Sequence, residues 1–440
     1  MRINGFALCA LVFALGLSSA ALAMAKNNVP ATTPPTEKIT LKQALEYAAQ
    51  NRQELTAYRA DLDAAALKLQ HAGLPPNPEL GMEWDNLGGN LPKDDSRETT
   101  ISLRQPFEIG GKPAARKNKG QAEIQRLQHE QAVAWLDIAA EVRIAFLEVL
   151  GTVERLAIQR EAAKVAATLV DITRQQVEAG KLAGTEETRA EAKKAEIAAE
   201  TQKLQRLLAE AELNLATVLA GERSGAMTVD GRLSPEVPVP DRHALLATLN
   251  DSPLLALRRS ETRLAKTHLS LEQANAWSDP SLSLAVREVP DEDGRAVAIG
   301  VSIPLPLFQR NQVGLADAGA TVRKATANEA AATRRLYLEV VKAHENMVGA
   351  EQEIRALRSG GLPKAAEAAK AVQEGFRAGK FRYSDVLEAS QALMAMKLRH
   401  LDTLLDLHRA AIALDRVLGK PAFTIIAQHG ATSSAYRSTP

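Results

Sequence analysis

The sequence has 440 residues, with 54 Lys and Arg against 53 Asp and Glu, eight His and one Cys. A net charge of +1 offers no basic surface for nucleic acid, and one cysteine excludes a disulfide framework or a thiolate zinc site. The chain is 45% hydrophobic but only 4% aromatic, so alanine and leucine carry its apolar content, which suits helices packed through small side chains.

In chain order, residues 1–23 read as a signal peptide. Arg2 gives a basic start, an apolar run extends from Phe6 to Leu17, and small-residue cleavage sites end at Ala23 and, alternatively, Ala25. Leu8 precedes Cys9, which does not fit the lipoprotein pattern, so the exported chain is expected to lack cysteine. Residues 24–40 form a linker. A helical pattern then runs from Leu41 to Gly73, with Thr40 as N-cap, and Leu74-Pro75-Pro76-Asn77-Pro78 ends it.

Two short alternating segments follow, Glu79–Asp85 and Thr99–Arg104. Leu80, Met82 and Trp84 share one face, and the acidic Glu79, Glu83 and Asp85 lie on the other. A long helix is predicted from about Pro113 to Gly180, and a return helix from about Thr185 to Gly221. The first and last helices of this half sum to about the length of the long one, on the order of 100 Å at 1.5 Å per residue. Two short helices stacked end to end therefore match one long one. Within the long helix, Trp135, Ile138, Val142, Ala145, Val149 and Leu156 form a coiled-coil seam with a polar skip at Thr152. Phe146, Leu150, Val153 and Ala157 mark a second seam. Two seams imply a neighbour on each side, as in the wall of a helical barrel.

The plan then repeats. Val177-Glu178-Ala179-Gly180-Lys181 returns as Phe376-Arg377-Ala378-Gly379-Lys380, Pro78-Glu79-Leu80 as Pro280-Ser281-Leu282, and Gln105-Pro106 as Ile303-Pro304. The domain reading is repeat 1 at 41–221, a connecting loop at 222–241, repeat 2 at 242–419 and a poorly ordered tail at 420–440. Gly360-Gly361 and Pro363 predict a kink in the second long helix. The second pair of strands carries Leu282, Leu284 and Val286, then Val297, Ile299, Val301 and Ile303, again at alternate positions. Strands of this length fit an outer-membrane barrel. Four cannot close one, because single-chain barrels begin at about eight strands and open edges are not tolerated in lipid. Several chains must share the barrel, and pattern alone leaves two or three open.

Pro76-Asn77-Pro78-Glu79-Leu80 and Gln105-Pro106-Phe107-Glu108-Ile109-Gly110-Gly111-Lys112, in this order within a duplicated chain, resemble the TolC-type outer-membrane efflux factor family. The resemblance is strongest to the subgroup serving cobalt–zinc–cadmium-type heavy-metal RND exporters. It implies a mainly α fold with a small β part, as a homotrimeric tube. A long α-helical barrel would cross the periplasm and a 12-stranded β-barrel, four strands per chain, would sit in outer-membrane lipid. It also implies a periplasmic adaptor and an inner-membrane RND pump as partners, a passive conduit, no cofactor and no catalysis.

By the same resemblance the helix-hairpin tips are gate and adaptor contact. The contact residues are Gly180, Lys181, Leu182, Gly379 and Lys380, and the gate residues are Glu186, Asp385, Glu388, Phe376 and Phe381. Asp385 and Glu388 would form an acidic ring; three apart, they share a helix face. The plainer reading is a solvated acidic turn favoured by the helix dipole. Phe376 and Phe381 depart from the family, where polar gate-locking side chains are common. The competing functions are an exported enzyme, a periplasmic coiled-coil adaptor or scaffold, and an outer-membrane factor for organic toxicants. No nucleophile elbow, P-loop or H-E-x-x-H supports the first, and two membrane-length hairpins argue against the second.

Overall fold

In the computed structural model, the described residues are 38–85, 98–220, 227–234, 237–289, 294–419 and 426–427. The signal peptide and most of the linker lie outside them.

The first repeat opens with α1 (Leu41–Asn51), where the Thr40 side chain accepts from Gln43 N and the Gln43 side chain caps back. The single helix expected to Gly73 is in fact two. Arg52 takes extended backbone (φ −70°, ψ 118°) and α2 (Gln53–His71) restarts after it. Strands β1 (Glu79–Asp85) and β2 (Glu98–Pro106) follow, then α3 (Lys112–Glu178) and α4 (Gly184–Ala220). Helices α1, α2 and α4 together have 67 residues, the length of α3 alone, and all three pack along it.

The second repeat has α5 (Arg242–Thr248), a 3-10 turn, α6 (Pro253–Asn275), β4 (Ser281–Val289) and β5 (Gly294–Ser302). Two-residue β3 (Arg232–Leu233) precedes it in the connecting loop. Helix α7 (Gln312–Ala356) passes through a π turn at Leu357–Gly361 into α8 (Leu362–Arg377), and α9 (Tyr383–Leu418) returns. The expected interruption is thus a π turn that keeps the chain helical, with Pro363 early in α8 where its missing N–H costs least.

The break at Arg52 recurs at Ser252, 200 residues on (φ −57°, ψ 128°). Both residues serve the end of a return helix. Arg52 Nη1 donates to Val218 O of α4 (2.6 Å), and Ser252 Oγ donates to Val417 O of α9 (2.5 Å). Val218 and Val417 are themselves 199 apart, so each break caps a helix C-terminus whose carbonyls would otherwise lack partners.

The core lies where these ends meet. Ala44, Ala48, Val142, Phe146, Val149, Leu215, Leu219, Leu405 and Ile412 form one cluster, and Leu255, Val340, Met347, Leu407 and Leu414 lead a second. The first seam on α3 is buried apart from half-buried Trp135, and its polar skip fits because Thr152 Oγ1 donates to Glu148 O (2.8 Å). The second seam holds only in its upper half: Phe146 and Leu150 are buried, but Val153 and Ala157 face outward on the chain. Antiparallel α3 and α9 are pinned by Arg416–Asp137 (2.5 Å), Arg143–Asp415 (3.0 Å), Arg155–Asp402 (2.5 Å) and Lys397–Glu161 (2.7 Å). Of the tail, residues 426 and 427 fall among the described residues. β6 (Ile426–Ala427) pairs with β3, while Ile39 bridges Val229, so both ends of the duplicated unit fasten to its connecting loop.

The four long strands form one antiparallel sheet, β1-β2-β4-β5, leaving β1 and β5 as edges. Ile303 lies just beyond β5. Leu80 is opposite Leu103, Leu103 opposite Leu284, and Leu284 opposite Ile299; Met82, Ile101, Val286 and Val297 make the next row. One face is therefore apolar across all four strands, and these side chains are exposed on the single chain, up to 75% for Ile299. The other face has mixed charge. Arg104 stands opposite Glu79 and Arg287 pairs with Glu98 (2.9 Å), which offsets the acidic bias expected from Glu79, Glu83 and Asp85.

Candidate functional site

At the foot of the sheet, the Gln105–Lys112 motif is a lock between strand and helix. Gln105 Nε2 donates to Pro76 O (3.0 Å) and Phe107 N to Pro280 O (2.8 Å). Asp279 accepts from Ile109 N (3.1 Å) and pairs with Lys112 Nζ (2.6 Å), while Arg116 holds Glu108 and donates to Ala72 O (2.8 Å). Gly110 has φ +74°, and a Cβ there would sit 2.7 Å from the Trp277 ring. Gly111, also left-handed, starts α3. Pro106 ends β2, where a missing N–H costs no ladder bond. These motif residues hold geometry at the junction; the tips lie at the far end of α3.

Both tips are built alike. Gly180 (φ +68°) and Gly379 (φ +74°) end α3 and α8; Gly180 N donates to Val177 O and Gly379 N to Phe376 O (both 2.9 Å). Lys181 N reaches Gln176 O and Lys380 N reaches Gly375 O (both 2.8 Å), the two-bond glycine cap of helix ends. A Cβ on either glycine would meet nothing within 4 Å, so backbone conformation and not space demands glycine. Lys181 and Lys380 are exposed beside these turns, and Leu182 is half-buried.

Between the hairpins lies a small apolar cluster of Leu169, Val170, Ala190, Phe376, Tyr383 and Val386. Phe376 is fully buried in it, its ring 6.3 Å from that of Tyr383. This gives Phe376 a packing role between the hairpins; the aromatic open to solvent is Phe381, 46% exposed and lying over Gly375. Gln176 Nε2 donates to Phe376 O (3.0 Å), tying one hairpin to the other. Burial, and then the Glu186 carboxylate, push the Tyr383 phenol above its usual range.

The acidic residues differ in employment. Asp385 accepts from Arg382 N (2.9 Å) and so caps the start of α9. Glu388 is exposed one turn on. Glu186 pairs with Arg189 (3.2 Å), and Arg174 bridges Glu187 (2.9 Å) and Glu191 (3.4 Å). Sequence reasoning missed Gln176, Arg174 and Tyr383. The signal for Gln176 was available: a polar residue beside the repeat landmark, where the second repeat has Gly375.

The sequence matches the family described as outer membrane efflux protein over residues 44–221 and again over 252–420. The chain belongs to this family. The two matched stretches are the two runs of the same element plan. The cobalt-zinc-cadmium resistance protein CzcC of Cupriavidus metallidurans is 30% identical over 388 residues, covering 87% of this chain and 90% of that protein. The nickel-cobalt-cadmium resistance protein NccC of Alcaligenes xylosoxydans xylosoxydans is 26% identical, covering 74% of each. In fold, the chain resembles the outer membrane protein VceC of Vibrio cholerae, with a TM-score of 0.70 at 19% identity over 86% of this chain and 96% of that one. An outer membrane efflux protein is a transport component and not an enzyme. Among the described residues no helix is long and apolar enough to cross a membrane.

Proposed function

We propose that this outer membrane efflux protein is the passive exit duct of a tripartite RND-type assembly that expels heavy-metal cations. The observation that carries the duct reading is the sheet. Four strands with one continuous apolar face and two open edges suit lipid only when copies close them into a barrel. Three copies would give twelve strands over a helical tube about 100 Å long. The metal assignment rests on CzcC and NccC, both named for resistance to metal cations.

The tips would meet a periplasmic adaptor, with Gly180, Lys181, Leu182, Gly379 and Lys380 at the contact, and the inner-membrane pump would supply the energy. Repeated around a narrow mouth, Glu388 with Asp385 and Glu186 would create a field favouring cations. Phe381 is the exposed aromatic suited to a gate. The Gln176 bond to Phe376 O and the buried Phe376–Tyr383 pair keep the hairpins together, a closure made by packing where relatives often use polar locks.

Deleting the gene and measuring growth on Zn²⁺, Co²⁺, Cd²⁺, Ni²⁺ and Cu⁺, beside a panel of organic toxicants, tests the cargo. Sensitivity confined to metals is expected. Sensitivity confined to organic toxicants would replace the metal reading, and recovery of the protein as a soluble periplasmic monomer would remove the duct.

A further inference from the structure

The duct reading leaves open which residues meet at the two sheet edges and at the apolar junction beside β5, where Leu305 is 73% and Phe308 90% exposed. We propose that β5 pairs antiparallel with β1 of a second copy in one register, Val301 opposite Met82 of the partner subunit, with Gln312 meeting Asn77 of the partner subunit below. This rests on the duct reading and adds which residues meet.

The internal duplication supplies the register. Inside one chain, the second strand of repeat 1 pairs with the first strand of repeat 2, Gln105 opposite Leu282. The equivalent contact left unmade is the second strand of repeat 2 with the first strand of repeat 1. Gln105-Pro106 corresponds to Ile303-Pro304, and Pro280-Ser281-Leu282 to Pro78-Glu79-Leu80. Carrying the observed contact across sets Ile303 opposite the partner's Leu80, Val301 opposite the partner's Met82 and Ile299 opposite the partner's Trp84.

Three independent features agree with this register. It keeps every apolar residue on the apolar face, which a one-residue slip would reverse. It also gives a barrel of normal slant. Crossing by observed pairs runs Leu80, Leu103, Leu284, Ile299, and the inferred pair returns to the partner's Trp84. The stagger is one residue per strand, about 3.4 Å against a spacing of about 4.8 Å, so a tilt of about 35°; closed barrels tilt about 35–45°. Slips of two residues would give about 20° or about 47° by the same geometry.

The third feature is the junction. Within the chain Trp277 fills the space above Gly110, and Asp279 pairs with Lys112. Gly111 and Asn311 are matching left-handed residues opening α3 and α7, so Gly110 corresponds to Arg310 and Lys112 to Gln312. Trp277 and Asp279 correspond to Pro75 and Asn77. Where the internal contact sets a large ring against glycine, the external one sets a small ring against arginine. An ion pair becomes an amide pair, and the large side chain changes sides, with Gln312 Oε1 accepting from Arg310 N (2.9 Å) and Arg310 Nε donating to Pro306 O (3.0 Å) in the single chain.

Cysteine pairs in full-length protein carrying Cys9→Ser, oxidised in isolated outer membranes, test the register. Val301→Cys with Met82→Cys should give disulfide-linked oligomers about tenfold more abundantly than Val301→Cys with Leu80→Cys or with Trp84→Cys, since only opposed residues bring Cα atoms within about 7 Å. Preference for either control pair overturns the register. So does no cross-link from any pair when native mass measurement still finds an oligomer. No oligomer in the parent protein refutes instead the duct reading. Should the cysteine variants fail to insert, Asn77→Asp with Gln312→Lys serves. This transplanted ion pair should raise the detergent dissociation temperature above the value expected from the two single changes, and strict additivity would contradict the contact.

Discussion

Helix α3 runs 67 residues without interruption, whereas its counterpart in the second repeat is cut by a π turn at Leu357–Gly361 into α7 and α8. The tips differ in the same sense. The first is held by a network of Arg174 with Glu187 and Glu191, and the second by an aromatic buried against Tyr383. Duplication therefore supplied two similar staves, and divergence left one continuous and put an irregular turn above the other. π turns insert a residue into the helical ladder and commonly mark functional positions. In the gate we propose at the tips, the second hairpin would be the one to move, and the buried Phe376 is what it would have to release.

Substitutions at matched positions separate the two halves. Phe376→Ala removes a fully buried ring and should cost about 3–5 kcal/mol, whereas Val177→Ala at the half-buried counterpart should cost far less. Denaturant unfolding with a fluorophore at each tip would read the difference, and equal losses would mean that the tips are equivalent. Asp415→Ala leaves the half-buried Arg143 without its buried carboxylate and should cost about 3 kcal/mol, while Asp415→Leu with Arg143→Met should recover most of it.

A pH series isolates the second return helix. His408 is fully buried on α9, its Nε2 donating to Ser234 O (3.0 Å), and burial lowers its pKa to about 4. The unfolded chain binds this proton from about pH 6.5 downward while the folded chain refuses it until about pH 4. Stability should thus fall as pH drops through that window, by on the order of 3 kcal/mol. Thermal midpoints of His408→Leu should lose that part of the acid slope; an unchanged slope would assign it to carboxylates. The smallest contrast is at the acidic tip residues. Asp385→Ala removes a helix cap worth about 1 kcal/mol, and Glu186→Ala removes an exposed pair worth about 0.5 kcal/mol or less.

Much of this architecture was legible because periodicity and repetition reinforce each other. Strand β1, the long helix, both glycine turns and the kink region stand where alternation, helical spacing and Gly/Pro placed them. The break at Arg52 was not legible in its own stretch, which has neither glycine nor proline. Its counterpart Ser252 is followed by Pro253, so aligning the repeats would have exposed it. The β3–β6 pairing is two residues long and made by segments far apart in sequence, too little for any periodicity to register. At the tips, position along the helix was readable but direction was not. Phe376 and Phe381 look alike in sequence, and only the packing of one hairpin on the other buries the first and leaves the second outside.

Copies of this chain should form a conducting outer-membrane pore whose mouth favours cations. Purified oligomer in planar bilayers, with the reversal potential read under a salt gradient, measures it most directly. Discrete channels selective for cations are expected, with selectivity reduced in Asp385→Ala with Glu388→Ala. Absence of channels from correctly inserted protein would contradict the duct, and an unchanged reversal potential in the double variant would contradict the acidic mouth.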